Sequence, residues 1–279
     1  KSEIDAAIQR YGSNRVIVLA GSSTTGIKEC ESLFKKPITE KINLYKVQEM
    51  GSVSEFIYRY LNLDSFHFTI STACSSSAKV LASAHRLIAS DLCDAVITVG
   101  ADTLSLLTVQ GFDSLEAVST EACLPFSANR KGINVGEGAA AFLITREPSN
   151  DGIFLAGYGE SSDAHHMSAP DPEGKGAIIA VNNSLNMAGL KATDIHYINL
   201  HGTGTKLNDS MEGKVTYGIF GGNIPCSSSK SLTGHTLGAS GIIEAAFCWL
   251  LLSSENKEKK LPIHYGDNIL DPEIPPILL

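Results

Sequence analysis

The chain is expected to fold as an α/β protein with mainly parallel strand pairing. Short apolar runs closed by glycine alternate along it with segments of helical spacing. The alternation occurs as two similar series, each running strand, polar loop, buried helix. With 279 residues, 43% hydrophobic and 19% charged, the chain has enough apolar surface for one large domain or two halves.

The opening stretch, Lys1-Ser2-Glu3-Ile4-Asp5-Ala6, reads as the middle of a helix and carries no initiator Met, so a fragment is expected. Residues 15–20 form a buried strand ending at Gly21, and residues 66–71 a second that leads to Cys74. From Ser75 the spacing turns helical, with Ala78, Leu81, Ala84 and Ile88 on one face. Residues 95–99 and 138–145 are strands, the latter stopped by Glu147-Pro148.

A second series begins near Asp151. Residues 153–156 are expected as a strand, 176–188 as a helix stopped by Gly189, and 195–200 as the strand delivering His201. Residues 225–229 are a short strand, and 238–252 a helix apolar on nearly every side, hence buried. The tail, 255–279, has a Lys/Glu cluster and Pro262, Pro272, Pro275 and Pro276, and reads as a surface excursion followed by extended chain. A boundary near 148 divides the chain into halves 1–148 and 149–279.

Composition narrows function. A net charge of −8 argues against general nucleic-acid binding through phosphates. The longest apolar run, 245–252, is too short to span a membrane. Six cysteines show no CxxC pair; Cys93, Cys226 and Cys248 read as small core residues, and a reducing cytoplasm is expected.

Three segments carry the chemistry: Ser71-Thr72-Ala73-Cys74-Ser75-Ser76, His201-Gly202-Thr203-Gly204-Thr205 and Lys230-Ser231-Leu232-Thr233-Gly234-His235. A thiol attacks only as thiolate, and a helix start, worth roughly 0.3–2 kcal/mol to a charge, favours that form. Cys74 sits at such a start among small neighbours, where its N–H could hold an oxyanion; the alternative is an ordinary core cysteine. His201 and His235 each lie in a Gly/Thr loop after an apolar strand and could donate Nε2–H bonds to one enolate oxygen. A single histidine in such a loop would read as structural; two in matched loops, with the cysteine, point to covalent catalysis on a thioester.

Lys230 and Glu212 could form a buried ion pair beside them, with an ordinary surface pair as the alternative; Asp209 could start the helix carrying Glu212. Adjacent His165-His166 lack a metal framework, and Gly136-Glu137-Gly138 lacks the strand–loop–helix setting of a nucleotide fingerprint. Lys35 and Lys36 could belong to a patch for an acidic partner or to a solvated face.

At these three segments the chain resembles the β-ketoacyl-acyl-carrier-protein synthases, the elongating condensing enzymes of the thiolase superfamily. The likeness runs from about residue 12 to 270 and includes Pro125-Phe126, Gly136–Ala140 and the 161–170 segment. It implies the duplicated α-β-α-β-α layered sandwich, short here of the family's N-terminal strand and helix and its C-terminal glycine-rich Phe loop. It implies Cys74 as acyl-accepting nucleophile, and His201 and His235 as the decarboxylating, enolate-binding pair. Lys230 and Glu212 become supporting charges; Ser168, Thr203 and Thr205 line the phosphopantetheine channel, and Phe112 adjoins the acyl pocket. The implied partners are an acyl carrier protein, acyl and malonyl thioesters, and a second subunit in a homodimer or heterodimer. No resident cofactor or metal is implied, since phosphopantetheine arrives on the carrier protein.

His235 in place of asparagine favours the elongating over the initiating class. A finer likeness, to synthases of bacterial aryl-polyene clusters, rests on the 129–137 and 244–252 segments and the Asp271-Pro272 ending. Glu116 falls where some relatives carry a basic carrier-protein contact. Two alternatives accompany this reading. One is a non-catalytic, chain-length-factor-type partner subunit, which typically lacks the cysteine. The other is a degradative thiolase, for which Cys226 would have to be the second catalytic cysteine.

Overall fold

Strand β1 (Val16–Gly21) is buried at all six positions, so both of its faces must be covered. In the computed structural model, which describes residues 2–33, 46, 48–148 and 152–279, side chains alternate accordingly. Val16 and Val18 pack with Ala7 of α1 (Ser2–Tyr11) and with Ile57. Ile17 and Leu19 pack on the opposite side with Val80, Ala84 and Ile88. After β1 come α2 (Ile27–Leu33) and α3 (Ser52–Tyr60), then β2 (His67–Ile70), α4 (Ser76–Ala89) and β3 (Ala95–Asp102). β1 pairs in parallel with both β2 and β3, as connections through helices require. α5 (Leu106–Asp113) and β4 (Gly138–Thr145) follow, and β4 runs antiparallel to β3, giving the order β2-β1-β3-β4. α1 and α3 thus cover one face of the sheet and α4 the other.

Apart from the last two residues of α5, these elements belong to the first of two compact units, Lys1–Gly111, Val135–Ile153 and Thr236–Ser254. The second comprises Phe112–Asn134, Phe154–His235 and Glu255–Leu279. It contains α6 (Lys175–Ala188), β5 (Ile198–Asn199), α7 (Lys206–Phe220), β6 (Cys226–Ser227) and the single-turn α8 (Lys230–Thr233). β5 and β6 pair in parallel, and the core gathers Phe126, Leu200, Cys226, Ile274 and Ile277. The last helix, α9 (Ser240–Leu252), returns to the first unit. No helix among the described residues is long and apolar enough to cross a membrane.

Close backbone approach sets the start of α4. A Cβ on Gly21 would lie 2.5 Å from Ser77 Cα. Gly21→Ala is expected to cost about 1–3 kcal/mol through overpacking. Urea unfolding measures this; an unchanged midpoint would contradict the contact.

Several expectations need correction. Residues 153–156 form no strand: they find no ladder partner among the described residues, and Phe154 and Leu155 are exposed. The inward face of α4 is Ser77, Val80, Ala84 and Ile88, while Ala78 is exposed and Leu81 only half-buried. α9, expected to be buried all round, buries only Ser240 and Ile242, because it packs against α4, β3 and β4 and leaves Leu250 and Leu252 open. Cys248, on that helix, is accordingly half-buried, whereas Cys93 and Cys226 are buried as expected. The strand expected over 195–200 is ordered as a ladder only at Ile198–Asn199. The tail is not all surface: Ile274 and Ile277 are core residues, and Leu278 bridges to Pro225. Lys1, Lys35, Lys36 and Asp151 lie outside the described residues.

Candidate active site

Between β2 and α4 the chain turns sharply, and Cys74 sits in that turn. Ala73 has φ +53°, a left-handed conformation unfavourable for a residue with a Cβ. Short hydrogen bonds hold it there. Ser76 Oγ donates to Ala73 O at 2.6 Å and accepts the Thr72 N–H at 2.9 Å; Ser75 Oγ donates to Thr72 O at 2.8 Å. Ser23 Oγ adds a bond to Ala73 O at 3.1 Å. The small residues after Cys74 therefore build the turn as well as leave space. Cys74 itself is half-buried, two residues before the first residue of α4.

Asp102, at the end of β3, organises the neighbouring loops of this unit. Its buried carboxylate accepts Ser22 Oγ–H, the N–H groups of Ser23 and Thr24, Thr24 Oγ1–H, and the Ala239 N–H at 3.1 Å. It thereby ties the loop after β1 to the short turn Leu237–Ala239, which begins two residues beyond His235. The sequence reading did not single out Asp102. Its signal was available: a carboxylate closing an otherwise apolar strand, a place where an acid needs partners.

The second unit brings the two histidines together. His201 follows β5. His235 follows the single turn α8 rather than a strand directly, which corrects the expected setting of its loop. Their rings lie 5.2 Å apart, edge to face at 86°. The His235 N–H donates to Asn134 O at 2.7 Å, and Phe112 places its ring 6.4 Å from the imidazole of His235. Glu212, on α7, accepts the N–H groups of His201 and Gly202 at 2.6 and 2.7 Å. Its carboxylate thus sets the backbone that carries His201. Thr203 and Thr205 share a hydroxyl–hydroxyl bond of 2.9 Å, and Asp209 takes the N–H groups of Phe126 and Gly204. Contrary to the sequence expectation, Asp209 does not start α7: the helix begins at Lys206 after Thr205, and Asp209, its fourth residue, pins the loop after His201 instead. Lys230 is 1% exposed.

Ser168 lies on an exposed loop, where its N–H meets His166 Nδ1 at 3.2 Å. Of the residues read from sequence, His201, His235, Glu212, Lys230, Thr203, Thr205 and Phe112 thus belong to one interlinked region of the second unit. Cys74 belongs to the first.

Electrostatics keep the pair neutral. Burial, then the charge of Lys230, then His235 hold the His201 imidazole well below its ordinary range. Burial and Lys230 push His235 down to about 3. Both are neutral at pH 7 and each can donate one ring N–H. Burial lifts Glu212 to about 7, opposed first by the Gly202 N–H and only last by Lys230. Glu212 is therefore governed more by the 201–202 backbone than by its expected ion partner.

A stability prediction follows from the signs. A histidine lowered from 6.5 to about 3 takes up its proton only on unfolding within that window, so its penalty is absent above 6.5 and complete below 3. A glutamate raised from 4.5 to about 7 behaves oppositely, with no penalty below 4.5 and the full penalty above 7. His235→Gln should flatten the loss of stability on acidification, and Glu212→Gln the loss on raising pH from 4.5 to 7. Denaturant midpoints across pH measure both; unaltered profiles would contradict the buried settings.

Cys74 of the strand–turn–helix segment belongs to the first unit and the buried pair of neutral imidazoles to the second; a thiol nucleophile and paired N–H donors are groups that acyl-transfer chemistry uses. Comparison with known proteins identifies the family. The model for the beta-ketoacyl synthase N-terminal domain matches residues 4–150, and that for the C-terminal domain matches residues 154–263. The chain belongs to the β-ketoacyl synthase family and has its thiolase-like α/β fold.

A mitochondrial 3-oxoacyl-acyl-carrier-protein synthase of Arabidopsis thaliana is 32% identical over 225 residues, covering 74% of this chain and 49% of that protein. The 3-oxoacyl-acyl-carrier-protein synthase 2 of Staphylococcus aureus is 36% identical over 191 residues, covering 63% of this chain and 47% of that protein. The chain thus spans about half the length of these curated relatives. Among solved structures, the complex of the ketosynthase ApeO with its chain length factor ApeC from Xenorhabdus doucetiae contains a chain 48% identical, with TM-score 0.90. That alignment covers 99% of this chain and 70% of the other. A beta-ketoacyl synthase from Burkholderia phymatum is 29% identical, with TM-score 0.86 over 98% of this chain and 71% of that one.

Proposed function

We propose that this chain is the catalytic part of a 3-oxoacyl-acyl-carrier-protein synthase, an acyltransferase performing decarboxylative condensation. The observation that carries the reading is the His201–His235 pair, 5.2 Å apart and held neutral by burial. Neutral imidazoles can offer two N–H donors to one developing oxyanion without adding charge.

In the proposed cycle, Cys74 takes an acyl group from a carrier-protein thioester, releasing the carrier thiol. Malonyl-carrier protein then loses CO2, and His201 and His235 bind the resulting enolate oxygen. The enolate carbon attacks the acyl thioester; a carbon–carbon bond forms and the Cys74 thiolate departs. Thr203, Thr205 and Ser168 receive the phosphopantetheine arm, Phe112 borders the acyl chain, and the cycle uses no resident metal or cofactor. In this reading residues 1–148 supply the nucleophile and 149–279 the imidazoles. The setting is a bacterial-type cytoplasmic pathway of fatty-acid or aryl-polyene character, the latter resting on the sequence likeness over 129–137 and 244–252.

A second reading is a chain-length-factor-type subunit, favoured by the same complex. Cys74 and both histidines speak for the enzyme, and the test is selective alkylation. Iodoacetamide or cerulenin should label Cys74 ahead of the buried Cys93, Cys123 and Cys226, read by mass spectrometry. Absence of labelling at Cys74 would sink the catalytic reading.

A dimer, with itself or a sister subunit, fits the edge strand β2, which pairs only with β1 among the described residues. Phe66, just before it, and Phe68, within it, stack at 6.3 Å and are partly exposed. An unpaired apolar edge of this kind is a template for another strand.

A further inference from the structure

We propose that Ser228 is a positioning residue that sets the spacing of the His201 and His235 loops, and that His264 holds it in register. The inference rests on the condensing reading above.

Ser228 follows β6 and is 2% exposed. Its hydroxyl donates to Gly202 O at 2.8 Å, immediately beyond His201, and accepts the Lys230 N–H at 3.2 Å, at the start of the turn leading to His235. One hydroxyl therefore joins both imidazole-bearing segments. The fit is tight: a Cβ on Gly202, which has φ +40°, would lie 2.6 Å from Ser228 Cβ and 2.8 Å from Phe126 Cε2. Neither segment can drift toward the other, and the hydroxyl prevents them from separating.

His264 braces this joint from behind. Its Nδ1 accepts the Ser228 N–H at 3.3 Å, and its Nε2 lies 3.2 Å from Pro125 O. A carbonyl only accepts and an N–H only donates, so the pair of contacts selects the neutral tautomer with hydrogen on Nε2. The ring also meets Phe126 edge-on, at 6.2 Å. His264 reaches the reaction only through Ser228, and Ser228 only through the two loops.

Decarboxylation needs both imidazoles aimed at one oxygen, whereas acylation of Cys74 does not use that pair in the reading above. Loss of the Ser228 hydroxyl should therefore separate the two half-reactions. The test uses the full-length protein with octanoyl-pantetheine for acylation and malonyl-pantetheine for CO2 release. Ser228→Ala should keep the acylation rate within about two-fold while lowering CO2 release roughly 10- to 100-fold, the scale of a misplacement near 1 Å. His264→Leu should show a smaller loss in the same step, and His264→Asn should recover most of it by supplying an acceptor for the Ser228 N–H.

Unchanged CO2 release in Ser228→Ala, or equal losses in both half-reactions, overturns the proposal. Should Ser228→Ala not fold, the His264 pair decides, and equal losses in Leu and Asn variants overturn it. A wild type that neither acylates nor releases CO2 overturns the catalytic reading and this inference with it. A wild type competent in both, matched by Ser228→Ala, overturns the inference alone.

Discussion

Cys74→Ala abolishes formation of an acyl adduct on the protein and reduces condensation to background. The effect is total because the acyl group must be covalently held while the second thioester is admitted, and alanine has no atom that can hold it. The turn is expected to survive the change. Its bonds are made by Thr72, Ser75, Ser76 and Ser23 with backbone groups, and its left-handed residue is Ala73. Intact-mass measurement after incubation with an acyl thioester reads the outcome directly. An adduct of unchanged yield in the variant would move the nucleophile elsewhere. Three of the other cysteines are poor substitutes: Cys93, Cys123 and Cys226 are buried, and burial pushes each thiol up to about 11.

His235→Ala separates the half-reactions in the other sense. Acylation of Cys74 continues, while CO2 release from malonyl thioester falls by about 100- to 1,000-fold, the usual cost of one oxyanion donor. The fold-loss relative to wild type should not depend on His235 titrating near neutral pH, because burial and Lys230 keep the wild-type histidine neutral there, its donor state unchanged. Single-turnover assays of each half-reaction measure the split. Loss of acylation alone, with decarboxylation intact, would reverse the assignment. Glu212 and Ser228 act on the same pair from its backbone, one through the His201 and Gly202 N–H groups and the other through Gly202 O.

The regular parts of the chain were legible because each depends on a local pattern. β4 runs over the residues its apolar run and closing Glu147-Pro148 indicate, and α6 ends at Gly189, which is left-handed at φ +66°. Errors cluster where burial depends on distant chain. Residues 153–156 have the composition of a strand but no ladder partner among the described residues. α9 is apolar all round yet covered on one side only. Ile274 and Ile277 sit among prolines that suggested surface, and they fill a core because Phe126, Leu200 and Cys226 leave a space for them.

For the site, sequence alone determined the identity of the reactive groups and their local settings: a thiol in a strand-to-helix turn and two imidazoles in Gly/Thr loops. Residue type and the spacing of small neighbours suffice for that, since both are properties of a few contiguous residues. Only the tertiary structure decided the edge-to-face meeting of His201 with His235, the capture of the 201–202 backbone by Glu212 and the Ser228 hydroxyl that joins the two loops. Desolvation and hydrogen bonding depend on which atoms arrive from far along the chain. No window of sequence around either histidine contains those atoms.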